Sequence, residues 1–402
     1  PPWPVTSPAE LFDWLRSFVA QLWMDDGTAG ALLGTVPQDV ELAADALFAA
    51  MGTEGPARAR FRAFLSQPTV FRFVAAVQGF FDNGGTKAFV SLLGLPDITG
   101  SIAGDPTQGT GLCAFDDLEE VALLAAPGLS PAQQTEVLEA CERARDRFAV
   151  LDGPAVCLDD HPMPSSDGGF GAMYVPWVTV ARPPWLEGDH PVEVPQRLAR
   201  RFRPPGEGEV AVPPAGHVAG LMARVDGERG VHKAPANEVV WGIRGLTQHI
   251  GAVAQGRYNQ RGLNVIRRFE DRGIRVWGAR TLATSANPSW RYVNVRRLFL
   301  MLEQSILGGS QWAVFEPNDQ LLWTRLRRDV TAFLYRQWRA GALFGRTAEE
   351  AFFVQCDAET NPRSQIDAGV VQVRVGVCPV KPAEFVVFEI GQWDGGSSLS
   401  EG

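Results

Sequence analysis

Gly79 to Lys87 reads GFFDNGGTK and gathers the residue types that cradle a phosphate. A phosphate loop needs Lys directly after the second spaced Gly, then Ser or Thr, so that ammonium and hydroxyl meet phosphate and metal. Here Thr86 precedes Lys87 and the stretch follows a helical pattern, so it reads as a helix C-terminal turn. Gly109-Thr110-Gly111 and Gly169-Phe170-Gly171 each begin a GxGxxG that ends at Ala114 and Tyr174, and neither sits between a strand and a helix. The histidines (His161, His190, His217, His232, His249) show no HxH or HxxxH spacing, and no CxxC occurs, so a metal site would need ligands from distant positions. His161 and His190 precede proline and read as loop residues, and His232 reads as a packed or hydrogen-bonded loop residue. There is no GxSxG elbow, and Asp159-Asp160-His161 supplies a carboxylate and an imidazole without a nucleophile. Asp116-Asp117 and Glu119-Glu120 read as acids around a helix start, where they complement the helix dipole. The expectation is no catalytic, cofactor or metal site, hence no enzyme.

One charged set has a pattern. From Asn318 to Phe344 a single helix places Leu322, Leu326, Val330 and Phe333 on one face, extended by Leu334 and Trp338. Arg325, Arg328, Arg336 and Arg339 fall within an arc of roughly 80° on another face. Asn318, after Pro317, is the predicted N-cap, Gly341 weakens the end, and Asp329 is the acid near the stripe. Between Ala286 and Arg346 nine arginines stand against four acids, so this segment carries +5 and the remainder −14 of a net −9. Such a local surplus suits an acidic partner. The competing explanation is a solvated helix face.

The elements that must position these residues are legible in outline. Leu11, Trp14, Leu15, Phe18 and Leu22 recur at helical spacing after Ser7-Pro8, which suit N-cap and N1. Residues 40–51, 57–65 and 70–81 also read as helices, the last ended by Asn83-Gly84-Gly85. Leu112 to Asp159 reads strand–helix–strand. Val121 to Ala125 is apolar, Ser130-Pro131-Ala132-Gln133 fits a capping box with Pro at N1, and Val137, Cys141, Ala144 and Phe148 form the buried stripe before a return strand from Ala149. This βαβ-like unit predicts an α/β layer. Residues 159–215 are Pro/Gly-rich loops around one strand candidate, Tyr174 to Val180, broken by Pro176. Strands are predicted at Ile274–Trp277, Trp312–Phe315, Val370–Val377 and Phe385–Ile390, and the tail WDGGSSLSEG reads as disordered. The division expected is 1–97 mostly helical, 98–285 α/β with long loops, and 286–402 helix plus strand. The fold class is therefore mixed α/β and multi-domain.

With 402 residues, 45% apolar and 21% charged, the chain can bury more than one core. The net charge of −9 disfavours an overall nucleic-acid binder. No apolar run approaches the length of a membrane span, and no signal-peptide pattern opens the sequence. Five scattered cysteines suit a reducing cytoplasm.

Several phrases together carry a family resemblance: AVQGFFDNGG (76–85), RDRFAVLDGP (145–154), GVHKAPANEVV (230–240), RGIRVWGARTL (272–282), WRYVNVRRL (290–298), QWAVFEPND (311–319) and VKPAEFVVFEI (380–390). In this order they resemble the tail sheath proteins of contractile phages and phage-like injection machines. The resemblance implies a structural subunit, not an enzyme, which polymerises around an inner tube and contracts to drive it through a target envelope. It implies a C-terminal helix facing the tube, so that Arg325, Arg328, Arg336 and Arg339 would contact it. It implies strand exchange, with Phe385, Val386, Val387, Phe388, Glu389 and Ile390 completing a neighbour's sheet. Expected partners are further copies of the chain, the inner tube, baseplate and cap proteins and an assembly ATPase, with no nucleic acid and no membrane insertion. The expected setting is the bacterial cytoplasm, with possible release as a particle. Family sheaths open with an arm carrying a PGVYVEE-like phrase. This chain, which starts at Pro1 in a Pro-rich stub, carries no such phrase. The alternative is an α/β nucleotide-binding protein or enzyme using the 112–159 unit.

Overall fold

The structure, a computed structural model, describes residues 2–25, 28–33, 40–53, 55–91 and 100–384. The N-terminal part comprises β1 (Trp3–Val5), α1 (Pro8–Asp25), α2 (Thr28–Leu33), α3 (Val40–Gly52), α4 (Pro56–Leu65), α5 (Pro68–Asp82) and β2 (Ala88–Val90). The middle contains β3 (Leu123–Leu124), α6 (Pro131–Ala144), β4 (Phe148–Asp152), β5 (Gly171–Val175), β6 (Val178–Ala181), β7 (Glu209–Val212), α7 (Ala215–Arg229), β8 (Glu238–Val239), β9 (Ile243–Leu246), α8 (Ala252–Gln260), β10 (Leu263–Phe269) and β11 (Gly273–Trp277). The C-terminal part adds α9 (Val293–Gly309), α10 (Gln320–Arg339), α11 (Ala348–Ala351), β12 (Phe352–Gln355), α12 (Arg363–Asp367) and β13 (Arg374–Val377).

A mixed sheet of order β3-β4-β5-β10-β11-β8 forms the centre. Its first four strands run parallel, and β11 is antiparallel to both of its neighbours, β10 and β8. Every residue of β4 and β5 is buried, the burial expected of parallel strands covered on both faces. The predicted βαβ unit is β3–α6–β4, with Leu123 opposite Phe148. Its helix starts as its sequence dictates. Ser130 Oγ accepts from Gln133 N, Gln133 Oε1 accepts from Ser130 N at 3.0 Å, and Pro131 occupies the first turn. The Asp152 carboxylate at the end of β4 ties this unit to α7, accepting from Gly128 N at 3.0 Å and Ala215 N at 2.7 Å.

Helix α7 crosses α5 at very close range. A Cβ on Gly216 or Gly220 would lie 2.1 Å from the carbonyl oxygen of Ala76 or Phe80. Small residues four apart on one face let the two backbones meet. The helices α1–α5 enclose a second core around Leu11, Leu15, Phe61 and Val70. A third core joins Leu298 and Leu302 of α9 to Val330 and Leu334 of α10 and Phe352 of β12.

Four expectations need correction. Trp312–Phe315 is not a strand: Gln311–Ala313 is a 3₁₀ turn, Phe315 has φ of 66°, and Trp312, Val314 and Phe315 are exposed, with no ladder among the described residues against which to pair. Tyr174–Val180 is two strands in different sheets, because Pro176, preceded by a cis peptide bond, separates β5 from β6. Within Val370–Val377 only Arg374–Val377 joins a ladder, and Val371 and Val373 pack instead beside Leu322 and Trp323. Asp116 closes the 3₁₀ segment Gly111–Phe115 and does not start a helix, and Glu120 pairs with Lys87 at 2.5 Å.

Candidate functional site

Helix α10 is the element on which the predicted surface stands. Its N-cap is Asp319, whose carboxylate accepts from Leu321 N and Leu322 N, both at 2.9 Å. Asn318, expected in that role, instead accepts from Trp323 Nε1 at 2.8 Å. Its side chain therefore fixes an indole, and the stronger charged cap falls one residue later. Leu322, Trp323, Leu326, Val330 and Leu334 are buried. Arg325, Arg328, Arg336 and Arg339 are all exposed. From Arg325 to Arg339 the stripe runs about 21 Å along the helix at its usual rise. Arg328 pairs with its neighbour Asp329 at 3.0 Å. Among the described residues Arg325, Arg336 and Arg339 form no ion pair. Arg336 and Arg339 lie in the last turn, where cations meet the negative end of the helix dipole.

Part of the basic surplus does not reach the surface. Arg296 is buried between Trp290, 3.5 Å from its ring centre, and Phe170 at 4.3 Å, and burial pushes its pKa down to about 10. Arg297 pairs with Asp226, with contacts of 3.0 and 2.5 Å. Two of the nine arginines thus hold α9 against the core, and the α10 stripe carries much of what remains exposed.

The residues first weighed for chemistry have structural roles. Gly79 to Lys87 is the C-terminal turn of α5. Asn83 caps it, donating to Gly79 O at 2.9 Å and accepting from Trp241 N at 2.8 Å. Asp159 pairs with Arg257 at 3.1 Å, and Arg261 donates to the backbone carbonyl of His161. The nearest thiol in sequence, Cys157, is pushed up to about 12 by burial and is no nucleophile at neutral pH. His217 is fully enclosed with its ring against Gly79, and burial lowers its pKa to about 4. Among the described residues no group of three or more His, Cys, Asp or Glu is placed to hold a metal. No described helix is long and apolar enough to cross a membrane. The predicted linking strand Phe385–Ile390 and the tail after it lie outside the described residues. The last described residue, Glu384, is bound by Arg280, a contact the sequence phrases did not announce.

Fold and surface together define a mixed α/β subunit whose most distinctive exposed feature is a charged helix face. Residues 110–282 match the phage tail sheath protein central domain, and residues 285–392 match the phage tail sheath C-terminal domain. The chain is similar to a subunit in the helical sheath of the anti-feeding prophage in its contracted state. That likeness has 33% identity and a TM-score of 0.64, over 79% of this chain and 81% of that one. It is also similar to the sheath of an extracellular contractile injection system, PVC, in its contracted state, at 31% identity and a TM-score of 0.63 over 80% and 81% of the two chains. A putative prophage major tail sheath protein of Pseudomonas aeruginosa is 28% identical over 67% of this chain and 65% of its own length. The match to the tail sheath protein of Vibrio phage KVP40 spans 44% of this chain and 26% of that protein. The chain belongs to the phage tail sheath family.

Proposed function

We propose that this chain is the repeating subunit of a contractile sheath that polymerises around an inner tube, is held in a strained long state, and shortens to drive the tube through a target envelope. The observation that carries this reading is 33% identity to the contracted helical sheath of the anti-feeding prophage over four fifths of both chains. No nucleotide is consumed at firing, because the free energy resides in subunit contacts made during assembly, and each subunit contributes modestly to a cooperative transition. The subunit acts as a structural element, not a catalyst. Its working units are 1–97, 98–285 and 286–402.

Arg325, Arg328, Arg336 and Arg339 face an acidic inner tube. Their shared exposed face supports that assignment, as does the lack of an ion pair, among the described residues, at three of the four, Arg328 alone pairing with its neighbour Asp329. Phe385–Ile390 adds a strand to a neighbouring copy. Among the described residues β12 and β13 pair only with each other, which leaves ladder edges for such a strand. Further partners are the baseplate, a cap and an assembly ATPase. The particle is built in the bacterial cytoplasm and released as an extracellular injection particle. The higher identity to the anti-feeding prophage and PVC sheaths than to the phage proteins supports that setting.

Co-expression with a tube protein from a contractile injection system, followed by negative-stain microscopy, tests the reading. Rods or stacked rings are expected. A monodisperse particle whose melting temperature rises with a nucleotide would instead favour an enzyme built on β3–α6–β4.

A further inference from the structure

The chain just before Phe385 is held by a half-buried clamp. After β13, Pro379 bridges Leu343, and Asn294 Nδ2 donates to Val380 O at 3.2 Å. Lys381 to Ala383 then lead to Glu384, whose carboxylate meets three residues from separate places in the sequence. Arg280 donates from Nε to Oε1 at 2.8 Å and from Nη2 to Oε2 at 2.7 Å, a bidentate pair. Asn259, at the end of α8, donates to Oε1 at 2.5 Å, and the Tyr292 hydroxyl donates to Oε2 at 3.3 Å. The Arg280 and Glu384 side chains are only 13% and 17% exposed.

The clamp stands on the central sheet. Arg280 N donates to Asn264 Oδ1 at 2.8 Å, and Asn264 Nδ2 donates to Arg280 O at 2.7 Å. Asn264 belongs to β10, which is paired on both sides. Burial by itself raises the Glu384 carboxyl, but the hydrogen bonds from Arg280 and Asn259 and the guanidinium charge outweigh it and hold the pKa below the usual carboxylate range.

We propose that the Glu384–Arg280 clamp is the mechanical anchor of the linking segment, passing force from a neighbouring copy into β10 and the six-stranded sheet. This rests on the reading of Phe385–Ile390 as the linking strand. Force applied at Phe385 reaches Glu384 first. With the clamp intact it acts through two parallel charge-assisted hydrogen bonds on a paired strand. Without it, the force peels Lys381–Ala383 back towards the two-stranded β12–β13 sheet. The bidentate geometry gives this half-buried pair direction as well as strength. Glu384 and Arg280 are therefore positioning residues for assembly.

Three variants of the full chain test this. Glu384→Gln keeps the shape and removes the charge, Arg280→Lys keeps the charge and removes the fork, and deletion of 385–402 removes the segment and spares the clamp. In soluble Glu384→Gln, amide exchange over 379–384 should rise about tenfold or more, with the melting temperature near wild type, and sheath formed on tube should fall by at least as much. Arg280→Lys should fall between, and it carries the test if Glu384→Gln does not fold. The deletion should abolish sheath while exchange over 379–384 stays as in wild type. If the deletion assembles normally, the linking reading fails and the anchor with it. If the deletion fails to assemble while Glu384→Gln and Arg280→Lys both assemble like wild type, the anchor is overturned and the linking strand stands.

Discussion

Arg328 and Arg336 are the inner two of the four arginines on the exposed stripe, and reversing their charge separates folding from assembly. Exposed pairs contribute only ~0–1 kcal/mol each, which suits the proposed tube contact, one that would release along its whole length yet repeat in every subunit. Arg328→Glu with Arg336→Glu should leave the monomer's melting temperature nearly unchanged while sheath growth around the tube falls sharply. Higher salt should weaken the same wild-type contact, since the charges are solvated. Normal sheath from the double variant would reduce the stripe to a solvated face. His217 makes a second residue-scale prediction. Burial lowers its pKa to about 4, so the unfolded chain takes up the proton first. Its contribution to stability is whole above the unfolded value near 6.5 and is lost as pH falls from there towards 4, at up to about 1.4 kcal/mol per pH unit. Asp152, raised to about 7 by burial despite its two backbone donors, acts in the opposite sense over an overlapping window: its contribution is whole below the unfolded value near 3.8 and is lost as pH rises towards 7, so removing His217 isolates the imidazole's share of the slope. His217→Asn should therefore flatten the acid-side decline of melting temperature between pH 6.5 and 4. An unchanged slope would contradict a neutral enclosed imidazole.

Helix α7 shows why elements differ in how far they can be read in advance. Its meeting with α5 depends on Gly216 and Gly220, and nothing local in the sequence says that Ala76 and Phe80 lie across from them. Gly220→Ala should destabilise the fold by about 1–3 kcal/mol through overpacking, measured by denaturant midpoint, whereas Gly227→Ala, which has open space, should not. The α6 start was legible because four contiguous residues encode it, and the two faces of α10 because leucine and arginine spacing is a one-helix property. Strand β7 was not, since Glu209–Val212 is a short run inside Pro/Gly loops and acquires its meaning only from β6. Trp312–Phe315 misled for the converse reason: an apolar run looks like a strand whether or not a partner exists. The Glu384 clamp joins residues too far apart in sequence for any spacing to reveal. At the same scale, deletion of Phe385 to Gly402 should leave a soluble, folded monomer with native melting behaviour and no polymer, scored by sedimentation and microscopy.

One rigid six-stranded sheet, a helical N-terminal core and a basic C-terminal helix suit a subunit that moves as a body, while its edges change partners. On the proposed function, contraction changes the contacts between copies and not the fold of each, and the free energy per subunit can be small because the transition spreads along the polymer. That predicts conserved mass with altered geometry, which separates a contractile sheath from an inert tube or a storage filament. The direct measurement is electron microscopy of single assembled particles before and after a mild trigger, such as brief acid or urea, with the number of subunits per particle counted in both. The expected result is the same number of copies in a shorter, wider sheath, with the inner tube protruding. Particles that keep their length until they fall apart into monomers would contradict it.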